Sequence, residues 1–493
     1  MARLLSVSRA ARLVGTTRGA LQKRIFNGEL ESFEGQVRIS DLEKLYPQAE
    51  LEDNSVIEHI EEIVEQAMQR ARGEKLRSLL APDLGTLAAR VHSLSKELNN
   101  IQQRENHYLQ ILASLKQKID QQLKAGNTDF IQHLHDWLES ALKEPVIASK
   151  SSRLLTTDTL LKMIAAQVHL LPSGHEFFIE GNNSILDSGL SAGLALNYGC
   201  SNGNCGKCKA RLISGEVKKI KSHDYVIPET ERNEGYLLTC CHTAVTDVVL
   251  QADEAGSEHD IPMQSISARV KKSQLLADDL LLLHLKTPRT NRLRFLAGQN
   301  ATLKVEGYED QALTNIPIAS CPCDDMNIQF HIKRDPDSEL VSHFFDKLQN
   351  NDNITIEGPS GRFILKEDSV RPILFIAFNE GFAPIKSLIE HAMTLEDAEF
   401  IHLFWIVSDN NKHYMHNVCR SWTDALDDFR YTPLKIDRQD NSGLLHDRFE
   451  QIAQTYAKLD EFDIYIAGTE QLTRQAVQFL KEAGVSEEQL TTA

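Results

Sequence analysis

Three cysteines stand close together in the run GCSNGNCGKCK, Gly199 to Lys209, and a fourth, Cys240, follows about thirty residues later. Cys200, Cys205 and Cys208 have the spacing C-x4-C-x2-C. Thiolates at this spacing, completed by a distant fourth, can converge on the two irons of a [2Fe-2S] cluster. Gly203 and Gly206 suit such a loop, because a residue without Cβ tolerates positive φ and lets backbone N–H groups turn toward sulfur. A zinc site and a set of unrelated buried thiols are the competing readings. Zinc sites usually use two short CxxC-like pairs, whereas this pattern is three plus one with interleaved glycines.

The elements that must position these sulfurs belong to a chain of 493 residues. A prior of about 100 to 200 residues per domain gives three to five domains. A formal charge of −17 argues against a protein that coats nucleic acid or an anionic membrane, although a basic module can sit inside an acidic chain. The remaining cysteines, Cys241, Cys321, Cys323 and Cys419, suggest no disulfide framework. A thiolate set of this kind fits a reducing compartment, so the cytoplasm is expected. No run of about 18 apolar residues occurs, and no membrane insertion is expected.

Residues 1–48 read as one small module. Val7, Ala10, Ala11 and Leu13 recur as on a short amphipathic helix, Gly15-Thr16-Thr17 offers a turn and cap, and a second helix carries Leu21 and Ile25. A hairpin turning at Gly35 and a last helix capped by Ser40 follow. Over residues 1–47 eight Lys/Arg face five Asp/Glu, a basic balance in an acidic chain. The order resembles the MerR/excisionase type of winged helix-turn-helix domain. That resemblance implies DNA binding, with Arg18, Gln22 and Lys23 on the groove-reading helix and Arg38 on the wing. A helix-turn-helix used for protein contacts is the alternative.

Residues 50–150 read as a helical connector. One helix is expected over Val56–Leu80 and a longer one after Pro82. Leu84, Leu87, Val91, Leu94 and Leu98 begin a seam of alternating three- and four-residue steps that runs to Ile119, with a polar interruption at Glu105. This is a coiled-coil register, and self-association into a homodimer through residues 84–119 is expected.

Residues 165–254 hold the cysteine loop between predicted strands. The stretch resembles a plant-type [2Fe-2S] ferredoxin of β-grasp fold, in the version fused to reductases of the phenol hydroxylase and methane monooxygenase component type. The resemblance implies that Cys200 and Cys205 bind one iron and Cys208 and Cys240 the other. Cys241 is expected to point to the opposite face if its segment is extended.

From residue 262 onward the pattern becomes strand-rich and then alternates strand with helix. Gly298-Gln299 and GPSGRF at residues 358–363 mark a first unit, 262–368, that resembles the flavin-binding barrel of the ferredoxin-NADP reductase family. Residues 370–493 resemble that family's nucleotide-binding half, a parallel sheet covered by helices. The family holds flavin with Arg-x-Tyr-Ser/Thr, where this chain has Thr314-Asn315-Ile316-Pro317. Its Gly-x-x-Ser is replaced by Glu339-Leu340-Val341-Ser342, which sets a carboxylate where a phosphate would lie. Its Gly-Gly-Thr-Gly-x-Ala-Pro becomes Phe378-Asn379-Glu380-Gly381-Phe382-Ala383-Pro384, and its Cys-Gly-Pro-Pro becomes Ala467-Gly468-Thr469-Glu470.

These four losses argue against FAD and NAD(P)H, and the body reads as a pseudo-oxidoreductase. Gly381 and Pro384 remain as cofactor-binding candidates if a nucleotide binds, or as residues that the strand-to-helix turn itself needs. No catalytic residue is assigned, and His331, His343, His402 and His446 suggest no metal site. The chain as a whole reads as multidomain: a small α winged helix-turn-helix, a coiled-coil connector, a β-grasp ferredoxin, and a β-barrel plus α/β parallel-sheet reductase-like pair. Three functions follow. The first is a redox-responsive regulatory or scaffold protein with a flavin-less body. The second is an NAD(P)H-dependent flavin/iron-sulfur oxidoreductase component passing electrons to a partner enzyme. The third is a non-enzymatic assembly protein with a structural cluster.

Overall fold

The computed structural model describes residues 4–46 and 165–493, short gaps aside, together with positions 89–91, 93, 94, 112 and 115. The expected helix over Val56–Leu80 lies outside the described residues, as does most of the seam from Leu84 to Ile119.

The N-terminal unit comprises β1 (Leu4–Ser6), α1 (Val7–Val14), α2 (Arg18–Phe26), β2 (Ser32–Phe33), β3 (Gln36–Arg38) and α3 (Ile39–Leu45). Ser6 and Thr17 cap the first two helices by accepting from the N–H groups of Arg9 and Ala20. Gly15, in the left-handed region at φ 67°, ends α1. The three strands order as β1-β3-β2 and cover one small apolar core that includes Leu5, Ala10, Leu13, Leu21 and Val37.

This unit is seated on the rest of the chain. Arg9, only 5% exposed, pairs with Asp247 at 2.6 Å, while Arg12 pairs with Glu180 and lies over the Phe178 ring. Helix α2 is turned toward the C-terminal domain: the Gly19 N–H donates to Glu396 O at 3.0 Å, and Lys23 pairs with Glu399 at 2.6 Å. The described part of the connector also reaches the middle of the chain. Arg90, helical and 1% exposed, donates to the carbonyls of Ile179 and Ala244, whereas Val91 and Leu115 of the expected seam are exposed.

The second unit is built from β4 (Ala165–Leu171), β5 (Glu176–Glu180), α4 (Ile185–Ser191), β6 (Lys209–Ser214), β7 (Val217–Lys219), β8 (Tyr236–Leu238), β9 (His242–Ala244) and β10 (Val248–Gln251). Its main sheet has the order β5-β4-β10-β6-β8, with β10 parallel to β4 and antiparallel to β6. Alternating apolar residues, Val168, Leu170, Phe177 and Ile179, face the core under α4.

The third unit is an antiparallel sheet of order β14-β13-β16-β11-β12-β15. Its strands are β11 (Gln264–Ala277), β12 (Leu280–Lys286), β13 (Asn300–Val305), β14 (Leu313–Pro317), β15 (Asn327–Lys333) and β16 (Asn353–Ser360), with α5 (Glu339–Asp346) between the last two. The fourth unit is a fully parallel sheet of order β19-β18-β17-β20-β21. It contains β17 (Ile373–Phe378), α6 (Phe382–Leu395), β18 (Ile401–Ser408), α7 (His416–Ala425), β19 (Phe429–Ile436), α8 (Gly443–Thr455), β20 (Asp463–Ala467), α9 (Glu470–Glu482) and β21 (Leu490–Thr492). Every residue of β17 is buried, as a central strand covered on both faces requires, which explains its unbroken apolar run ILFIAF. Among the described residues no helix is long and apolar enough to cross a membrane.

Candidate iron-sulfur centre and reductase cleft

The cysteine loop leaves α4, whose N-terminus is fixed by Ser184 accepting from the Asp187 N–H, and returns into β6. Gly203 and Gly206 take φ of 87° and 76°, as the sequence predicts. The resulting turn aims backbone donors at sulfur. The N–H groups of Asn204 and Cys205 point to Cys200 Sγ at 3.2 and 3.3 Å, and the Cys200 N–H points to Cys205 Sγ at 3.3 Å. Burial opposes ionisation of Cys200, but the N–H groups of Asn202, Asn204 and Cys205, with the Cys205 thiol, bring it down to about 7.

The second pair lies deeper. Cys208 and Cys240 are buried with their sulfurs 3.2 Å apart, and the Cys240 thiol, followed by burial, pushes the Cys208 thiol upward. A bound iron would remove that penalty at Cys208 and Cys240 by taking the place of the proton. Among the described residues no three His, Cys, Asp or Glu side chains are grouped as they would be around one metal ion. The four cysteines of the expected set come as two pairs, Cys200 with Cys205 through N–H···S contacts and Cys208 with Cys240 through their sulfurs, a division that two bridged irons would use. Asn202, Asn204, Cys205 and Lys207 are exposed, so the outer pair lies at the protein surface.

Cys241 departs from expectation. Thr239–Cys241 is a 3-10 turn and not an extended segment, so consecutive side chains rotate by about 120° and not 180°. Cys241 Sγ therefore comes within 3.5 Å of Cys240 Sγ, inside the core.

Arg18, Gln22 and Lys23 lie on α2, the helix turned toward the C-terminal domain, where Gln22 Oε1 is shielded from solvent and Lys23 is held by Glu399. Arg18 and Gln22 are half-buried and Lys23 is half-exposed, so protein engages part of the face that a groove-reading helix would use. Arg38 is exposed at the end of the hairpin, where α3 begins.

In the reductase-like body, residues of the two halves meet directly. Lys333 at the end of β15 pairs with Glu380 at 2.6 Å, His331 Nδ1 lies 3.2 Å from the Tyr414 hydroxyl, and Lys386 donates to Ala319 O at 2.9 Å while pairing with Glu390 at 2.6 Å. Burial, with Lys386 nearby, brings His331 down to about 3, so it is a neutral bridge at pH 7. Sequence reasoning missed these contacts. A lysine in the otherwise apolar stretch of α6 was the available signal, since a buried ammonium requires partners.

The residues at the flavin positions do not fit a flavin in the family's manner. Thr314 and Asn315 are exposed on β14, and neither a guanidinium, an aromatic ring nor a hydroxyl stands at the corresponding positions. At the start of α5, Ser338 accepts from the Val341 N–H, and Glu339 adds a negative charge to the first turn where an anion would otherwise be held. In the nucleotide-type half, Asn379 accepts from the Ser408 N–H at 2.9 Å, and Glu380 is committed to Lys333. A Cβ on Gly381 would lie 2.3 Å from Ala467 O. Pro384, buried in the first turn of α6, lacks an N–H that the helix start does not use. Both residues thus serve the turn itself.

Three family models match the chain: a 2Fe-2S iron-sulfur cluster binding domain at residues 168–245, an oxidoreductase FAD-binding domain at 267–364 and an oxidoreductase NAD-binding domain at 375–478. None of the three reaches residues 1–47. Protein RfbI of Salmonella typhimurium is 31% identical over 312 residues, 61% of this chain and 88% of that protein. The CDP-6-deoxy-L-threo-D-glycero-4-hexulose-3-dehydrase reductase of Yersinia pestis is 28% identical over 311 residues, 62% of this chain and 91% of that protein. Reductase component 1 of terephthalate 1,2-dioxygenase from Comamonas sp. is 29% identical over 265 residues, 54% of this chain and 77% of that protein. Domain matches and side-chain set therefore point apart: the FAD- and NAD-type folds are present, and the residues that hold those groups are replaced.

Proposed function

Since the chain belongs to the family of reductases that join a 2Fe-2S cluster binding domain to FAD-binding and NAD-binding oxidoreductase domains, we propose that it is an electron-transfer component whose redox centre is a [2Fe-2S] cluster. The relatives named as reductase components support electron delivery to a partner protein over a regulatory or scaffold role. The contacts of Gly19 with Glu396 and of Lys23 with Glu399 engage α2 within the chain, which weighs against its use as a groove-reading helix. Membership in this family also disfavours a purely structural cluster.

Cys200, Cys205, Cys208 and Cys240 are the proposed ligands. The carrying observation is their arrangement as two sulfur pairs, one buried and one at the surface, with backbone N–H groups already aimed at the outer pair. Bound there, the cluster supplies one-electron chemistry. The N–H groups of Asn204 and Cys205 stabilise negative charge on sulfur, and such donors raise the tendency of a centre to accept an electron. The buried pair excludes water, while the exposed rim at Asn202–Cys205 lets a partner approach closely.

The electron enters from a separate donor in this reading, because Thr314–Pro317, Glu339 and Glu380 do not form the flavin and nicotinamide contacts of the family. The two reductase-type domain matches favour a second reading, in which NAD(P)H and FAD feed the cluster within one chain. Anaerobic mixing separates them. NADH or NADPH alone should leave the visible absorbance of the native protein unchanged, while a photoreduced external one-electron donor should bleach it. Bleaching by NAD(P)H alone would establish the second reading.

A further inference from the structure

Cys321 and Cys323 lie outside the cluster set, and their spacing suggested no disulfide framework. The structure joins them through the turn Cys321-Pro322-Cys323, directly after the segment Ile318–Ser320 that follows β14. Their surroundings come from the other half of the reductase-like body. His391 of α6 places Nδ1 3.8 Å from Cys321 Sγ, Thr394 Oγ1 lies 3.9 Å from Cys323 Sγ, and Glu390 accepts from the Cys321 N–H at 3.3 Å. The two sulfurs differ in access: Cys321 is 5% exposed and Cys323 is half-buried. Two residues on, Asp325 accepts from the Tyr198 hydroxyl at 2.5 Å and from Arg292 at 3.2 Å, and Tyr198 leads into the cysteine loop. The bridge thus stands on the seam between the ferredoxin-like domain and the reductase-like body.

We propose that Cys321 and Cys323 form a reversible dithiol–disulfide site that exchanges two electrons and two protons with low-molecular-weight thiols. This goes beyond the one-electron role of the cluster. A thiolate attacks the accessible Cys323 Sγ, forming a mixed disulfide and breaking the Cys321–Cys323 bond, whose electron pair leaves on Cys321. A second thiolate attacks the sulfur of the first thiol, forming the external disulfide and releasing Cys323 as thiolate. The protons of the two external thiols end on Cys321 and Cys323. His391 is a positioning residue in this scheme. Burial brings it down to about 4, so at pH 7 it is a neutral imidazole, and in its Nδ1–H tautomer it donates to the departing Cys321 sulfur.

The test uses the native, iron-loaded full chain, held anaerobically in glutathione buffers of stepped reduced-to-oxidised ratio. Samples are quenched with acid, alkylated and read by peptide mass spectrometry. The peptide carrying both cysteines should pass from no label to two labels as the ratio rises and return when it falls. Cys321→Ser should leave Cys323 unable to close an internal bridge, giving one label or a glutathione adduct. His391→Asn should slow opening several-fold while the final labelling stays at two. Two labels at every ratio, or none under the most reducing condition, would overturn the proposal, and an unchanged opening rate in His391→Asn would remove the histidine's role.

Discussion

Arg9→Ala should release the N-terminal unit from the ferredoxin-like domain. Arg9 is 5% exposed and bonds Asp247 at 2.6 Å and Gln167 Oε1 at 3.4 Å. Removing one partner of a fully buried pair costs about 3–5 kcal/mol, because the other charge is left unpaired. Asp247 is 39% exposed and keeps the Gln167 N–H at 3.0 Å, so solvent and that donor offset part of the loss. Exposed pairs contribute about 0–1 kcal/mol, which brackets the expected cost from below at about 1–3 kcal/mol. That range corresponds to an opening equilibrium raised by about 5- to 150-fold. Native-state hydrogen exchange of the α1 and α2 amides reads this directly. Lys44→Ala serves as the control, since Lys44 is exposed and pairs with the nearby Asp41 of its own helix. Equal protection in Arg9→Ala and the control would refute the docking of residues 4–46 on the ferredoxin-like domain.

Three further outcomes are expected. Gly381→Ala forces a Cβ to 2.3 Å from Ala467 O, and a backbone shift of this kind costs about 1–3 kcal/mol; urea unfolding should show a lower midpoint with or without added NAD(P)H, and an unchanged midpoint would contradict the steric role. His391 and His402, both brought down to about 4 by burial, bind fewer protons folded than unfolded. Their contribution is fully present above about pH 6.5 and is lost as pH falls toward 4, at about 1.4 kcal/mol per pH unit for each histidine, so chemical denaturation at pH 7.5 and 5 should show a clear loss of stability at the lower pH. Cys208→Ser removes a sulfur from the buried pair and should strip most iron from the purified protein, whereas retention of a full cluster would contradict the ligand set.

The parts of the molecule legible in the sequence are those fixed by local spacing. The turns at Gly203 and Gly206 follow from the loop's need for positive φ, and β17 is recognisable because a strand buried on both faces must be apolar throughout. What escaped is decided by contacts between distant segments. Nothing near Lys23 announces Glu399, and nothing near Arg90 announces the carbonyls of Ile179 and Ala244. The basic balance of residues 1–47 suggested nucleic acid, yet Arg9, Arg12 and Lys23 find carboxylates of the same acidic chain. Cys241 was misplaced because two adjacent cysteines give no sign of whether their segment is extended or a 3-10 turn. The Cys321–Cys323 bridge contradicts the expectation that these cysteines form no disulfide framework, because two cysteines one residue apart give no spacing signal of a bridge.

The measurement that bears most directly on the central claim is the content of iron, acid-labile sulfide and flavin in the native protein purified without oxygen. One [2Fe-2S] cluster per chain with negligible FAD is expected, since the four cysteines are arranged to hold the first and the replaced residues at Thr314–Pro317, Glu339 and Glu380 do not hold the second. Stoichiometric FAD released on denaturation, or iron-free protein, would contradict it.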